Sequence, residues 1–280
     1  MGWLANDASW LLAGIRERGF AGGVSALRRR VVARQRLQTA LRGEQRSTGA
    51  VRVATPLADH PLELRKGTSD PLVYAQVFIE DEYGPFATDA IDGLVIDCGA
   101  NVGYSSALFL SRWPRCTVVA VEPDPDNFRM LADNLRPYGS RAVVVHGGVW
   151  NKTGRLALGS AHYRDGDFWA RQVVPASSEA PDSFPAFDIP SLMALARADR
   201  VALLKVDIEG TEAIVFDETC SRWIHAVDRI AIEIHDDTSF GDCREIFAAA
   251  IAAEGFTVTH SGELTLCRRR KAMPGQHAAG

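Results

Sequence analysis

Apolar residues along the chain follow two alternating periods, and this alternation predicts the fold. From residue 94 onward, short continuous apolar runs of strand length alternate with segments whose apolar residues recur every three or four positions. The predicted strands are 94–97, 117–122, 142–146, 201–206 and 229–235, and the predicted helices are 104–112, 125–135, 189–198, 211–218 and 242–254. Strands that alternate with helices in this way indicate a mainly parallel sheet with helices on both of its faces.

The end of the chain predicts two further strands of opposite direction. The runs 256–259 and 264–267 are separated only by the turn His260-Ser-Gly-Glu263. Strands joined by so short a turn must be antiparallel. The expected architecture is therefore an α/β fold whose seven-stranded sheet is mainly parallel and contains one antiparallel strand.

The pattern also divides the chain into parts. Residues 1–50 are predicted to form a helical, arginine-rich arm, and residues 51–90 a lead-in hairpin and helix. Residues 91–270 form the predicted α/β domain, and residues 271–280 a loose tail. An insertion at 159–188, rich in Asp, Pro, Ser and aromatic residues, could cover a substrate.

The N-terminal arm is predicted to contain two helices. Apolar residues cluster at Trp10–Ile15 and again between Val24 and Leu37, and arginines surround both clusters. A basic amphipathic helix can lie on an anionic membrane surface. Packing on the domain or on a partner subunit is the favoured alternative, so a homo-oligomer formed through this arm is left open.

Composition and charge exclude several classes of protein. The chain of 280 residues is 46% hydrophobic and 24% charged, as in ordinary globular proteins, and holds no apolar run of the about 18 residues that a membrane helix needs. The net charge of −4 and the pI near 6.0 argue against a nucleic-acid partner. The five cysteines form no Cys-x-x-Cys pair, which favours reduced thiols. No secretory signal is recognised, so a cytoplasmic location is expected.

The turn after the first strand of the α/β domain predicts a nucleoside cofactor. The segment Leu94–Tyr104 runs from an apolar strand through Gly99 and Gly103 into a helix, and the next strand ends on Glu122. Glycines let the backbone approach a ligand, and an acid at this position accepts hydrogen bonds from ribose hydroxyls. The two glycines are four positions apart, and Asn101 stands where a dinucleotide fold needs its middle glycine. This spacing favours S-adenosylmethionine over NAD, because S-adenosylmethionine has no pyrophosphate to bind at the helix N-terminus.

Two adjacent strand ends carry residues that could move a proton. By alternation, Lys205, Asp207 and Glu209 share one side of the chain, as do Glu233 and His235. Lys205 could simply neutralise a carboxylate. His235 could accept a proton from an acceptor hydroxyl. Alternatively, Asp207, Glu233 and His235 could hold a divalent cation such as Mg²⁺, which lowers the pKa of the hydroxyl. Base catalysis is preferred, and both alternatives stay open.

Taken together, these motifs resemble the FkbM family of S-adenosylmethionine-dependent methyltransferases. The matching segments are Asp97-Cys-Gly-Ala-Asn-Val-Gly103, Val121-Glu-Pro123, Lys205-Val-Asp-Ile-Glu-Gly-Thr-Glu212 and Glu233-Ile-His235, within a resemblance that covers residues 60–268. The resemblance implies a Rossmann-like class I methyltransferase fold. A reversed strand is typical of this fold and distinguishes it from the fold of the dehydrogenases. It also implies O-methylation of a hydroxyl on a sugar, a polyketide or another secondary metabolite in natural product biosynthesis.

The resemblance further implies roles for individual residues. The cofactor would be bound by Asp97, Gly99, Ala100, Asn101, Gly103, Tyr104, Ser105, Glu122, Pro123, Gly148, Val149 and Asp207. The catalytic residues on the acceptor side would be Asp207, Glu209, Glu233 and His235. Among them, His235 is the preferred base, and Asp207 would orient cofactor and acceptor.

Other functions remain as alternatives. Methylation of a nucleobase amine is disfavoured, because no Asn/Asp-Pro-Pro-aromatic motif follows the strand at 201–206. An N-methyltransferase of a small molecule stays open. A protein of a different class, a non-catalytic binding protein that keeps the cofactor fold as a scaffold, would tolerate replacement of Asp207 and His235.

Overall fold

The arm at the start of the chain is one long helix. The structure is a computed structural model that describes residues 7–43, 49–159, 173–177, 180–235, 240–252 and 254–270. Helix α1 (Asp7–Gly43) is continuous, so the prediction of two helices was wrong. Glycines at 19, 22 and 23 separate the two apolar clusters, but a glycine costs a helix only about 1 kcal/mol and does not end it as proline would. None of the described helices combines the length and the apolar character that crossing a bilayer requires.

A hairpin and a short helix follow, as predicted for the lead-in. The strands β1 (Ala50–Val53) and β2 (Leu62–Arg65) pair antiparallel, and helix α2 (Asp70–Phe78) begins with a proline in its first turn. The ring of Tyr74 is buried and packs edge-on against Tyr104, with centroids 5.8 Å apart. The lead-in is thereby packed onto the helix that follows the glycine turn.

The α/β domain alternates strands and helices. Its first elements are β3 (Gly93–Cys98), α3 (Tyr104–Arg112), β4 (Cys116–Glu122), α4 (Pro125–Leu135) and β5 (Ala142–His146). The next are β6 (Gly148–Val149), β7 (Gly154–Leu158), β8 (Val173–Pro175), β9 (Phe184–Phe187) and α5 (Ile189–Leu195). The last are β10 (Val201–Val206), α6 (Glu212–Val215), β11 (Arg229–Glu233), α7 (Cys243–Ala252), β12 (Phe256–Ser261) and β13 (Leu264–Arg269).

Seven strands form the main sheet, in the order β12-β13-β11-β10-β3-β4-β5. Strand β13 runs antiparallel to both of its neighbours, β11 and β12, whereas all the other pairs are parallel. The predicted fold class, with its single antiparallel strand, is therefore confirmed. Because β4 and β10 lie on opposite sides of β3, the connections diverge there and leave a crevice at the carboxyl ends of the strands.

The sheet carries helices on both faces because the side chains of its central strands alternate. Val95 on β3 faces one apolar core, which it shares with residues of α2, α3 and α4. Its neighbours Leu94 and Ile96 face a second core, which includes residues of α5 and α7. A strand that is buried on both faces reads as a continuous apolar run, which is the pattern that predicted β3.

A second sheet, which the sequence pattern did not predict, is formed by two strands that precede the stretch 159–188 and two strands that lie within it. Strands β6, β7, β8 and β9 form a separate four-stranded sheet, in the order β6-β9-β7-β8. The pattern missed this sheet because its strands are short and because Pro175 and Pro185, inside β8 and β9, read as breaks. Residues 160–172 and 178–179 lie outside the described part of the chain, so a substrate-covering role of the insertion stays a prediction.

Four predicted elements are shorter in the structure, and two of them adjoin the carboxyl ends of β10 and β11. The helix expected at 211–218 is reduced to α6, because Asp217 accepts a hydrogen bond from the backbone of Thr219 and begins a separate 3-10 helix. The strand expected at 229–235 ends at Glu233, so His235 follows β11 instead of closing it.

We expect the junction between β2 and α2 to depend on the ion pair of Arg65 and Asp70. Asp70 is fully buried, and its two carboxylate oxygens each accept a 2.9 Å hydrogen bond from the guanidinium of Arg65. The variant Arg65→Ala leaves this carboxylate without its cation, and the free energy of unfolding in chemical denaturation should fall by about 3 kcal/mol.

The matched control is Arg52→Ala on the neighbouring strand. Arg52 pairs with Glu63, but its side chain is 74% exposed. Exposed pairs contribute about 0–1 kcal/mol, so this variant should change stability little. Equal losses in the two variants would contradict the assignment.

Candidate active site

A cavity opens at the carboxyl ends of β3, β4, β10 and β11. Its volume is about 340 Å³, which is within the range of small-molecule pockets. Ligands of open parallel sheets bind at this edge of the sheet. Ten of the predicted cofactor-binding residues line the cavity, namely Gly99, Ala100, Asn101, Tyr104, Ser105, Glu122, Pro123, Gly148, Val149 and Asp207. All four predicted catalytic residues, Asp207, Glu209, Glu233 and His235, line it as well.

The glycine turn forms one end of the cavity. Gly99 has φ +75°, and a Cβ atom added to it would lie 1.8 Å from the backbone oxygen of Asp207. Only glycine therefore allows the turn after β3 to lie against the end of β10. Asn101 in the same turn also has a left-handed backbone, with φ +49°, which asparagine tolerates better than most residues.

Glu122 closes the turn from the side of β4. Its Oε2 accepts a 2.9 Å hydrogen bond from the backbone of Asn101, and its Oε1 accepts one of 2.9 Å from Asp124. Burial raises the pKa of Glu122 to about 7, although these backbone hydrogen bonds oppose the rise. The carboxylate is thus held in place while its remaining lone pairs stay available to hydroxyl groups.

Two predicted cofactor contacts lie away from the cavity wall. The carboxylate of Asp97 is fully buried, and its Oδ2 accepts hydrogen bonds of 2.6 and 2.7 Å from Ser105 and Ser106. Gly103, with φ +89°, begins α3, and a Cβ atom there would lie 2.8 Å from Leu131 on α4. Asp97 therefore supports the turn from beneath, and Gly103 lets two helices pack closely.

Lys205 connects the turn to the end of β10. Its ammonium group, on a residue that is 2% exposed, lies 3.1 Å from Oδ1 of Asp97 and 3.5 Å from Oδ2 of Asp207. It also donates a 2.6 Å hydrogen bond to the carbonyl oxygen of Gly99. Burial lowers the pKa of Lys205, but the two carboxylates raise it above its ordinary value. The charge-pairing role that the sequence offered for Lys205 is the role observed.

The opposite end of the cavity is acidic and surrounds one imidazole. Nε2 of His235 lies 3.4 Å from Oε1 of Glu233 and 3.7 Å from Oε2 of Glu209. One ligand atom from each of Asp207, Glu233 and His235 lies within 4.8 Å of the others, a separation at which they could hold a metal ion. Glu209 has φ +52°, an uncommon backbone conformation for glutamate that is typical of constrained functional turns.

Sequence reasoning assigned no role to Glu212, although this residue fixes His235. The carboxylate of Glu212 is buried, and its Oε1 lies 2.9 Å from Nδ1 of His235. The same oxygen accepts 3.2 Å hydrogen bonds from the backbone of Ile208 and Gly210. Glu212 and His235 are 23 positions apart, so only the pairing of β10 with β11 brings them together.

The acidic end shifts the pKa values of its members. Burial alone would lower the pKa of His235, but hydrogen bonds to Glu212 and Glu233 raise it to about 11. Burial raises the pKa of Glu209 to about 7, with a further contribution from the charge of Asp207. Burial also raises the pKa of Asp207, against the effect of Lys205. In all three residues, neighbouring carboxylates contribute to the rise in pKa.

Glu82 is a second residue to which sequence reasoning assigned no role in the site. It lies in the connection after α2, lines the cavity, and accepts a 3.3 Å hydrogen bond from Gln76. Burial raises its pKa to about 7, and the negative charge of Asp207 adds to the rise. The lead-in segment therefore contributes to the wall of the cavity, through Glu82 and through Leu72 and Val73 of α2.

Comparisons with known proteins point to one family. Residues 97–258 match the family described as the Methyltransferase FkbM domain. The protein Methyltransferase 1 of Beauveria bassiana is 24% identical over 209 residues, which cover 66% of this chain and 80% of that protein.

Solved structures resemble the chain at low identity. The methyltransferase FkbM from Methylobacillus flagellatus is 17% identical, with a TM-score of 0.46 and coverage of 90% of this chain. The chain spans 65% of that structure's length. TYW2 from M. jannaschii, solved in complex with AdoMet, is 11% identical, with a TM-score of 0.42 and coverage of 79% of this chain and 86% of that one.

We expect Lys205→Met to destabilise the protein by leaving the buried carboxylate of Asp97 without its cation. The free energy of unfolding in chemical denaturation should fall by about 3–5 kcal/mol. Adding Asp97→Asn should recover a large part of the loss, because the amide oxygen can still accept from the serine hydroxyls without carrying a charge.

The matched control is Lys152→Met, at an exposed lysine. This variant should be close to the unsubstituted protein in stability. A double variant that is no more stable than Lys205→Met alone would show that the unpaired carboxylate is not the cause of the loss.

Proposed function

Since the chain belongs to the FkbM family of S-adenosylmethionine-dependent methyltransferases, we propose that it methylates a hydroxyl group of a sugar, a polyketide or another secondary metabolite. The observation that carries the proposal is the cluster of carboxylates and one imidazole at the acidic end of the cavity. A hydroxyl must lose its proton when its oxygen is methylated, and carboxylate and imidazole side chains can accept that proton.

The residues at the glycine turn fit the cofactor. Glycine at position 99 lets the turn lie against the end of β10, and the buried carboxylate of Glu122 is held where it would accept hydrogen bonds from the two ribose hydroxyls. Gly148 and Val149 line the same end and would contact the adenine. When bound, the cofactor supplies an electrophilic methyl group on a sulfonium.

The acidic end would receive the acceptor. Asp207 lies between Lys205 and the cluster around His235, so it can orient both the cofactor and the acceptor hydroxyl. In the proposed transfer the acceptor oxygen would bond to the methyl carbon as the carbon–sulfur bond breaks, and the hydroxyl proton would pass to a side chain of the cluster around His235. Holding the reacting atoms about 3–3.5 Å apart supplies much of the rate enhancement in such transfers.

The same cluster argues for oxygen over nitrogen as the acceptor. A neutral amine is nucleophilic without losing a proton first, whereas a hydroxyl gains from a proton acceptor in the transition state. After β10 the chain continues Asp207-Ile-Glu-Gly210, without the Asn/Asp-Pro-Pro-aromatic motif associated with methylation of nucleobase amines. Methylation of a small-molecule amine is the second candidate, and the experiment below separates the two.

We expect the purified protein to transfer a ¹³C-labelled methyl group from S-adenosylmethionine to a hydroxyl acceptor. The acceptor panel should contain glycosides and hydroxylated polyketides, each paired with an analogue in which an amine replaces the hydroxyl. The ¹³C chemical shift of the product distinguishes a methoxy from an N-methyl group. Label found only on the amine analogues would overturn the proposal in favour of N-methylation.

Substitution at the acidic end should separate chemistry from cofactor binding. The variants His235→Ala and Glu233→Gln should lower kcat by about 10²–10⁴-fold, while calorimetric binding of S-adenosylhomocysteine is preserved. The control is His225→Ala, at an exposed histidine outside the cavity. Unchanged turnover in His235→Ala would remove this residue from the mechanism. Cofactor binding without turnover on any acceptor would favour the non-catalytic alternative.

A further inference from the structure

We propose that Asp207, Glu233 and His235 form a binding site for one divalent cation, Mg²⁺ or Mn²⁺, and that Glu212 positions the imidazole for it. The role of the ion in methyl transfer rests on the function proposed above, but its binding does not. The inference selects between the two alternatives that the sequence left open for His235, because Nε2 cannot bind a cation and accept a proton at the same time.

The separations within the triad suit a small cation. All three ligand atoms lie within 4.8 Å of one another, and Nε2 of His235 is 3.4 Å from Oε1 of Glu233. Neighbouring ligands of an octahedral ion at about 2.1 Å are about 3.0 Å apart. Small rotations of the two acidic side chains would therefore close the set around an ion.

The orientation of His235 is the second observation, and it is independent of the acids in the triad. The residue is 2% exposed, and its Nδ1 is fixed by Glu212 at 2.9 Å. Glu212 is itself held by the backbone of Ile208 and Gly210, so the ring cannot turn freely. A carboxylate that receives Nδ1–H leaves Nε2 directed at the cavity, which is the arrangement that commonly supports metal-binding histidines.

Nε2 of His235 has only long contacts in the described part of the chain. Its hydrogen bond to Oε1 of Glu233 is long, at 3.4 Å, and Oε2 of Glu209 is 3.7 Å away. Nδ1 of this buried ring therefore has a close partner, whereas the carboxylate oxygens around Nε2 are farther away. A bound cation would draw these oxygens and Nε2 together.

The charge around the imidazole favours a divalent cation. Four carboxylates lie at this end, those of Asp207, Glu209, Glu212 and Glu233. Lys205 lies 3.5 Å from the carboxylate of Asp207, but it is shared with the carboxylate of Asp97 at 3.1 Å. One imidazole cannot balance four carboxylates, and an ion of charge +2 would offset the charge of the two carboxylates that bind it.

The donor set indicates which cations to test and what they would do. Two carboxylates and one imidazole match Mn²⁺ and, through the oxygens, Mg²⁺. Three protein ligands leave open positions, at which the acceptor hydroxyl could bind. A hydroxyl bound to a cation has a lowered pKa, so it releases its proton more easily to the neighbouring acids.

The test is direct binding of Mn²⁺ by the chelator-treated protein, measured as loss of the paramagnetic resonance signal of free Mn²⁺. The titration is done with and without S-adenosylhomocysteine, and Mg²⁺ is added as a competitor. We expect one site, displaced by Mg²⁺. Asp207→Asn, Glu233→Gln and His235→Ala should each weaken binding by more than about tenfold, and Glu212→Gln by about 10–100-fold. The controls are His225→Ala and Asp242→Asn, both at exposed positions, and they should bind as the unsubstituted protein does.

The outcomes separate the two proposals. No Mn²⁺ binding by a protein that binds S-adenosylhomocysteine would overturn the cation site and leave the methyltransferase proposal standing. Mn²⁺ binding that is unchanged in His235→Ala would also overturn it, because the ion would then lie elsewhere. Binding that depends on the triad, in a protein that does not bind S-adenosylhomocysteine, would support the cation site and count against the proposed function. Thermal unfolding of each variant identifies any loss that is due to misfolding.

Discussion

The buried ammonium group of Lys205 is the interaction on which the arrangement of the site depends. It joins the carboxylate of Asp97, at the end of β3, to the carboxylate of Asp207, just beyond β10, and it also binds the carbonyl oxygen of Gly99. Burying a lysine is costly unless its charge is paired and its protons are bonded, and here both conditions are met. The two strand ends are therefore held at a fixed separation, with the glycine turn on one side and the acidic end on the other.

The rest of the cavity follows from this connection and from the order of the strands. Because β3 is flanked by β4 and β10, the turn after β3 lies between Glu122 on one neighbour and Asp207 on the other. The close approach of the turn to β10 requires glycine at position 99. The glycine turn and the acidic end therefore depend on the same interaction, since moving either would break the ion pairs of Lys205.

The sequence predicted what depends on local patterns and missed what depends on distant contacts. The apolar runs predicted all seven strands of the main sheet, and the closing turn predicted the reversed strand, because periodicity reports burial directly. The second sheet was not predicted because its strands are short and two of them contain prolines. The role of Glu212 escaped because its partner, His235, is 23 positions away, and nothing in the local pattern of α6 indicates that its first residue is buried against a histidine. Asp97 was predicted at the correct strand end, but no sequence pattern shows whether such an acid faces the ligand or the lysine beneath it.

The charge of the acidic end sets a condition on any methyl transfer from a sulfonium. A sulfonium carries a full positive charge, which disperses as the methyl group leaves. Unbalanced carboxylates nearby would stabilise the starting state more than the transition state, and that difference would slow the reaction. The site therefore needs carboxylates that bind and orient, and also a positive charge that limits their field at the sulfur. In the proposed function, Lys205 would provide this charge beside the glycine turn, where its ammonium is shared between Asp97 and Asp207. At the acceptor side, a cation held by Asp207, Glu233 and His235 would do the same, and it would stabilise the negative charge that the acceptor oxygen carries when its proton has left.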